Sequence, residues 1–138
     1  MDDSPSMRGD DLSIDLPGSP ASAGVARRAI SRFAGGDLTD AQLNDTALMV
    51  SEVVTNALVH GRTGAPLEVR ARRAGGRLRV EVTNSGPGLA PEPRATDPSP
   101  DGGFGLFLVE RLATRWGLVR HLGKTRVWFE LEFAHGGR

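Results

Sequence analysis

Ser51-Glu-Val-Val-Thr-Asn-Ala-Leu-Val-His60 is the stretch on which the reading of this chain turns. Glu52, Asn56 and His60 are spaced four residues apart, so in a helix they share one stripe. The residues around them are apolar. Leu43, Ala47, Leu48, Met49, Val50, Val53, Val54, Ala57, Leu58 and Val59 cover nearly the whole circumference. A helix starting near Thr39 or Asp40 and ending at Gly61 is therefore expected to be the buried one. Polar groups on such a helix need partners, because an unsatisfied buried group costs about 1–3 kcal/mol. A metal ion and phosphate groups would supply them. The helix alone leaves a second reading open, the solvated stripe of an ordinary amphipathic helix.

Working outward toward the amino terminus, Leu12, Ile14 and Leu16 alternate with Ser13 and Asp15, the pattern of a half-buried edge strand that stops at Pro17-Gly18. Ser19-Pro20 offers a helix cap and a first-turn proline ahead of Val25, Ala26, Ala29, Ile30 and Phe33, and Gly35-Gly36 ends that helix. Residues 1–10 carry turn formers and charge with little to bury and are expected to be a disordered tail. One domain is expected over residues 11–134, with a short tail at 135–138.

Toward the carboxyl terminus, alternating runs at 67–71 and 78–82 flank Ala74-Gly75-Gly76 as a hairpin. Residues 85–103 are rich in Gly, Pro, Asp and Ser and read as a long loop. A third helix is expected over 104–115, and two strands over 118–122 and 127–133 meeting across Gly123-Lys124. This order implies helices on one face of a mixed, mostly antiparallel sheet, an α/β two-layer sandwich.

Composition narrows the function. The chain has 138 residues, the size of one compact domain, with 17 basic and 17 acidic residues and no net charge. That balance argues against direct nucleic-acid binding, which uses a positive surface. Cysteine is absent, which removes disulfides, thiolate nucleophiles and cysteine-ligated metals. No apolar run reaches the roughly 18 residues of a membrane span, so no membrane role and a cytoplasmic location are expected.

Two glycine-rich turns lie downstream. Asn84-Ser-Gly-Pro-Gly88 follows a strand and allows a sharp turn with close backbone approach. Gly102-Gly-Phe-Gly-Leu106 opens the third helix, where backbone N–H groups can meet an anion. Each is a common pattern alone. Gly123-Lys-Thr125 is not the end of a phosphate-binding P-loop, because the required earlier glycine falls on Leu118 and the segment lies between strands.

Together and in this order, the Glu-x-x-x-Asn-Ala helix, the Asn-x-Gly-x-Gly turn, the Gly-x-Gly-Leu helix start and the late Gly-Lys-Thr resemble the Bergerat ATP-binding fold of gyrase B subunits, MutL proteins and histidine kinases. Residues 50–57, the run from Gly105 to Gly117 and residues 123–131 are similar to the RsbW-type anti-sigma serine/threonine kinases. The resemblance implies the cofactors ATP and Mg²⁺. It implies Asn56 as the Mg²⁺ ligand and Glu52 as the catalytic carboxylate that accepts a proton from a serine hydroxyl or a water. It also implies Asn84, Gly86, Gly88 and Thr125 around adenine, and Gly103, Phe104, Gly105 and Leu106 near the phosphates. His60 is equally readable as a structural helix end.

The implied function is a kinase that phosphorylates a STAS-domain anti-anti-sigma partner and sequesters a sigma factor, with a homodimer also implied. The family usually has aspartate where this chain has Asn84. An amide oxygen can accept the same bond without charge, provided neighbours fix its orientation. A nucleotide-dependent binding module without transferase activity is the alternative reading. The catalytic piece of a histidine kinase is a weaker one, since another chain would have to supply the histidine.

Overall fold

The computed structural model describes residues 6–8, 10–62, 64–85 and 106–133. Six strands, β1 (Ser6–Arg8), β2 (Asp11–Leu16), β3 (Leu67–Ala74), β4 (Arg77–Ser85), β5 (Arg115–His121) and β6 (Lys124–Glu132), form one sheet in the order β1-β2-β3-β4-β6-β5. Three helices, α1 (Ser22–Ala34), α2 (Asp40–His60) and α3 (Phe107–Leu112), complete the described elements. The two-layer sandwich is as expected, and every described ladder is antiparallel, so the sheet is less mixed than anticipated. Ser6–Arg8, inside the expected tail, instead pairs with β2.

Strand alternation builds the core. Leu12, Ile14 and Leu16 of β2, Val69 of β3, Val80 and Val82 of β4, and Val127 and Phe129 of β6 turn to one face, each at most 3 % exposed. Against them pack Ala26, Ile30 and Phe33 of α1 and Met49, Val50, Val53 and Val54 of α2. Each large apolar side chain so buried contributes about 1.5–3 kcal/mol against the entropy of ordering the chain. Gly75 and Gly76, at φ 59° and 76°, make the β3–β4 hairpin turn that right-twisted strands favour.

The helix starts and stops follow side-chain chemistry. Thr39 accepts from the Gln42 N–H at 3.1 Å while the Gln42 side chain accepts from the Thr39 N–H at 2.9 Å, a reciprocal cap that fixes the start of α2. Ser19-Pro20 lies in the turn before α1, whose cap is Ala21. Two expectations are corrected. First, α2 is not buried all round: Leu48 and Val59 are 42 % and 69 % exposed, because the helix has the sheet beneath it and, among the described residues, no layer above. Second, α3 is shorter than residues 104–115, because β6 captures the chain that follows it. The Thr114 N–H donates to the Glu130 carbonyl at 2.8 Å, and Arg115 already pairs with Glu130 in the β5–β6 ladder.

The outer face of the sheet is polar, as for an antiparallel sheet with one wet side. Trp128 lies over Gly117, and the Arg79 guanidinium sits 4.1 Å from a Trp128 ring centre. Glu130 is the hub of this face, 8 % exposed, accepting from Arg79 at 2.8 Å and from Arg115 at 3.0 Å. Burial works to raise its carboxyl, but the bonds from Arg79 and Arg115 outweigh it and hold the group below its ordinary 4.5. A depressed carboxyl stabilises the fold above its unfolded value, and that contribution is lost as pH falls through the folded one. Glu130→Gln is therefore expected to cost about 1 kcal/mol at neutral pH, since Arg115 is half exposed and Arg79 keeps its bond to Glu81. In denaturant titrations from pH 7 to pH 3 the gap between the two proteins should close on the acid side; a constant gap would contradict this account.

Candidate functional site

The best-defined polar feature of the interior lies where the end of β4 meets the end of α2. Asn84 faces inward, 4 % exposed, with Thr125 of β6 and Leu67 of β3 as its register partners. Its Nδ2 donates to the Ala57 carbonyl at 3.0 Å, and that carbonyl also accepts from the Gly61 N–H at 2.9 Å. Because a carbonyl can only accept, the bond fixes which way the amide points. The other end, Oδ1, is buried and has no hydrogen-bond partner among the described residues. A buried acceptor left open in this way is uncommon and points to a donor supplied from outside.

Gly61 makes this arrangement possible. A Cβ there would stand 2.9 Å from Asn84 Nδ2 and 2.6 Å from the Ala57 oxygen, closer than real contacts allow. Gly18 plays a similar part nearby, since a Cβ on it would meet the Ala65 oxygen at 2.3 Å. Around them lies a cavity of about 190 Å³ lined by Gly18, Ala57, Leu58, Gly61, Leu67 and Asn84. A wider cleft of about 560 Å³, lined by Leu16, Pro17, Pro66, Thr83, Asn84 and Lys124, reaches Asn84 as well. A third depression, about 450 Å³ on the outer sheet face, is lined by charges that already pair, such as Arg72 with Asp11 and Arg79 with Glu81.

The three polar residues of α2 take different positions. Asn56 is buried at 6 % exposure, while Glu52 and His60 are half-buried. Glu52 accepts two backbone hydrogen bonds from the start of α3, Oε2 from the Leu108 N–H at 3.1 Å and Oε1 from the Val109 N–H at 2.9 Å. The Leu106 side chain, expected near phosphate, is 1 % exposed and belongs to the apolar core, so only its backbone remains for such a role. Thr125 is half-buried opposite Asn84. Gly86, Gly88, Gly103, Phe104 and Gly105 lie outside the described residues. Sequence reading took Gly61 for a helix end and missed its contact with Asn84, which joins positions far apart in the chain.

A sheet of antiparallel strands with α1 and α2 packed on one face places the chain among the two-layer α/β sandwiches. Residues 16–131 match the model of the histidine kinase-like ATPase domain, and the chain belongs to that family. An anti-sigma F factor from Clostridium botulinum (strain Eklund 17B / Type B) is 25 % identical over 91 residues, which are 63 % of this chain and 64 % of that protein. The RsbU and RsbW domains of Rv1364c from Mycobacterium tuberculosis superpose with a TM-score of 0.70 at 21 % identity, covering 93 % of this chain and 34 % of that one, a likeness of fold. A blue-light activated histidine kinase from Erythrobacter litoralis EL346 gives a TM-score of 0.57 at 27 % identity over 87 % of this chain and 42 % of that one. The fold is that of an RsbW-like ATPase domain, and nucleotide binding follows from the family.

The Asn84 geometry makes a counter-intuitive prediction. Asn84→Asp would place the residue that the resemblance leads one to expect here, yet it would set a carboxylate oxygen against the Ala57 carbonyl where a donor now sits. The variant should be less stable than wild type by about 1–3 kcal/mol at neutral pH. The deficit should shrink in acid, where a protonated carboxyl can donate again. Equal or greater stability in chemical unfolding would show that the Ala57 bond does not hold this side chain.

Proposed function

We propose that the protein binds Mg·ATP between the second half of α2 and the end of β4. There it acts as a protein serine/threonine kinase and anti-sigma factor, phosphorylating a STAS-domain anti-anti-sigma partner and sequestering a sigma factor in the cytoplasm. The observation that carries the nucleotide reading is the open Asn84 Oδ1, a neutral acceptor in a buried pocket, suited to the exocyclic amine of adenine. Thr125 stands beside it in register. Asn56, one helical turn after Glu52, supplies an oxygen that suits Mg²⁺. Among the described residues no cluster of His, Asp or Glu could hold a metal by itself, so the ion would arrive with the phosphates and complete its shell from them and from water.

In this reading Glu52, one turn before Asn56 on α2, is the carboxylate that accepts the hydroxyl proton. The sigma-factor part draws support from the Clostridium botulinum relative, whose name is that of an anti-sigma factor and of whose length this chain spans 64 %, and the kinase part from the histidine kinase-like ATPase family. A binding module that uses nucleotide without transferring phosphate is the second reading. It is favoured by the engagement of both Glu52 oxygens at α3, which leaves the carboxylate less available as a base.

Titration calorimetry with Mg·ATP and Mg·ITP tests the nucleotide site. ITP carries a keto oxygen where ATP has the amine, so it should bind at least about tenfold more weakly. Absence of heat with Mg·ATP at millimolar concentration would end the proposal. Phosphate transfer to a cognate STAS domain separates the two readings: binding without a phosphoprotein selects the module.

A further inference from the structure

α3 should not be stable as a helix on its own, and the reason it exists lies in another element. Its six residues are too few to repay helix nucleation in water. The residue at its N-cap, Leu106, has no polar side chain and makes no capping bond. The first intrahelical donor is the Glu110 N–H, which reaches the Leu106 carbonyl at 3.0 Å, so the amides before it need outside acceptors. Glu52 takes two of them, Leu108 and Val109, one with each carboxylate oxygen. A negative group at this end of the helix also suits its dipole. Leu106 and Val109 sit in the core and Leu112 packs against it, so apolar contacts help dock the helix, but they give its first amides no acceptor.

We infer that Glu52 is a positioning residue, the N-terminal cap of α3 supplied from α2, and that the first turn of α3 holds its helical form only while that carboxylate occupies its amides. The same side chain therefore fastens α3 to the helix that carries Asn56, one turn further along. A change at Glu52 then acts on α3 before it acts on any proton. This differs from the catalytic assignment: a cap requires acceptor oxygens, whereas a general base requires a titratable one. Glutamine, which keeps one acceptor oxygen and cannot serve as a base, separates the two roles.

The test is amide hydrogen exchange, read residue by residue by NMR on the nucleotide-free protein, for wild type, Glu52→Gln and Glu52→Ala. Exchange at Leu108 and Val109 should speed up about tenfold in Glu52→Ala and by a smaller factor in Glu52→Gln, with protection in the sheet and in the first half of α2 unchanged. Unchanged exchange at both amides in both variants overturns the inference. A second arm, which rests on the nucleotide reading above, measures Mg·ATP affinity: Glu52→Ala should bind more weakly than Glu52→Gln, the glutamine rescuing part of the loss. Glu52→Ala and Glu52→Gln that bind Mg·ATP as wild type does while losing phosphate transfer would mark Glu52 as a base alone. If wild type itself binds no Mg·ATP, the nucleotide reading fails while the exchange data still decide the cap.

Discussion

A single hydrogen bond, from the Asn84 side-chain amide to the Ala57 carbonyl, sets the character of the interior at the business end of this molecule. It ties the last residues of β4 to the last turn of α2 and settles which end of the amide is left over. It works only because Gly61 leaves room for it. A charged side chain in that place would have to compete with a carbonyl at close range. The neutral one makes the carbonyl a partner and keeps its own oxygen for something else. The neutral amide is thus matched by its surroundings.

α2 is the element through which the other parts communicate. Its apolar residues cover the sheet, its end meets Asn84, and Glu52 reaches across to the start of α3. Polar atoms on such a helix have few alternatives once water is excluded, so each finds a defined partner. That is why a helix of ordinary length organises regions distant in sequence. The outer face of the sheet follows different physics: its charges pair across the strands around the buried Glu130, and those at its margins sit in solvent and contribute modestly.

Much of the fold was legible in the chain. The strand alternation in β2, β3, β4 and β6, the cap at Thr39 and the glycine turn at Gly75-Gly76 each have a local cause, so each could be read locally. What escaped was set by distant partners. The pairing of Ser6–Arg8 depends on β2, the early end of α3 on a carbonyl of β6, and the exposed side of α2 on how many layers are stacked. The site divides the same way. Asn84 and Thr125 were legible as motif positions, while Gly61 as a neighbour of Asn84 and the hold of Glu52 on α3 belong to tertiary geometry. Leu106, read as part of a glycine motif, turned out to be a core residue because an apolar position at the head of a short helix helps dock it.

The ladder between β4 and β6 runs unbroken from Arg77 opposite Glu132 to Ser85 opposite Lys124. Side chains along it alternate between the dry face and the wet one, so sliding β4 by a single position would carry Asn84 out to solvent and draw its neighbours in, and sliding β6 would do the same to Thr125. The pocket's chemistry is in that sense a matter of counting. Change in this pair of strands is tolerable by replacement, one side chain for another, but a residue added or removed between the hairpin at Gly75-Gly76 and the pocket would turn the binding face inside out.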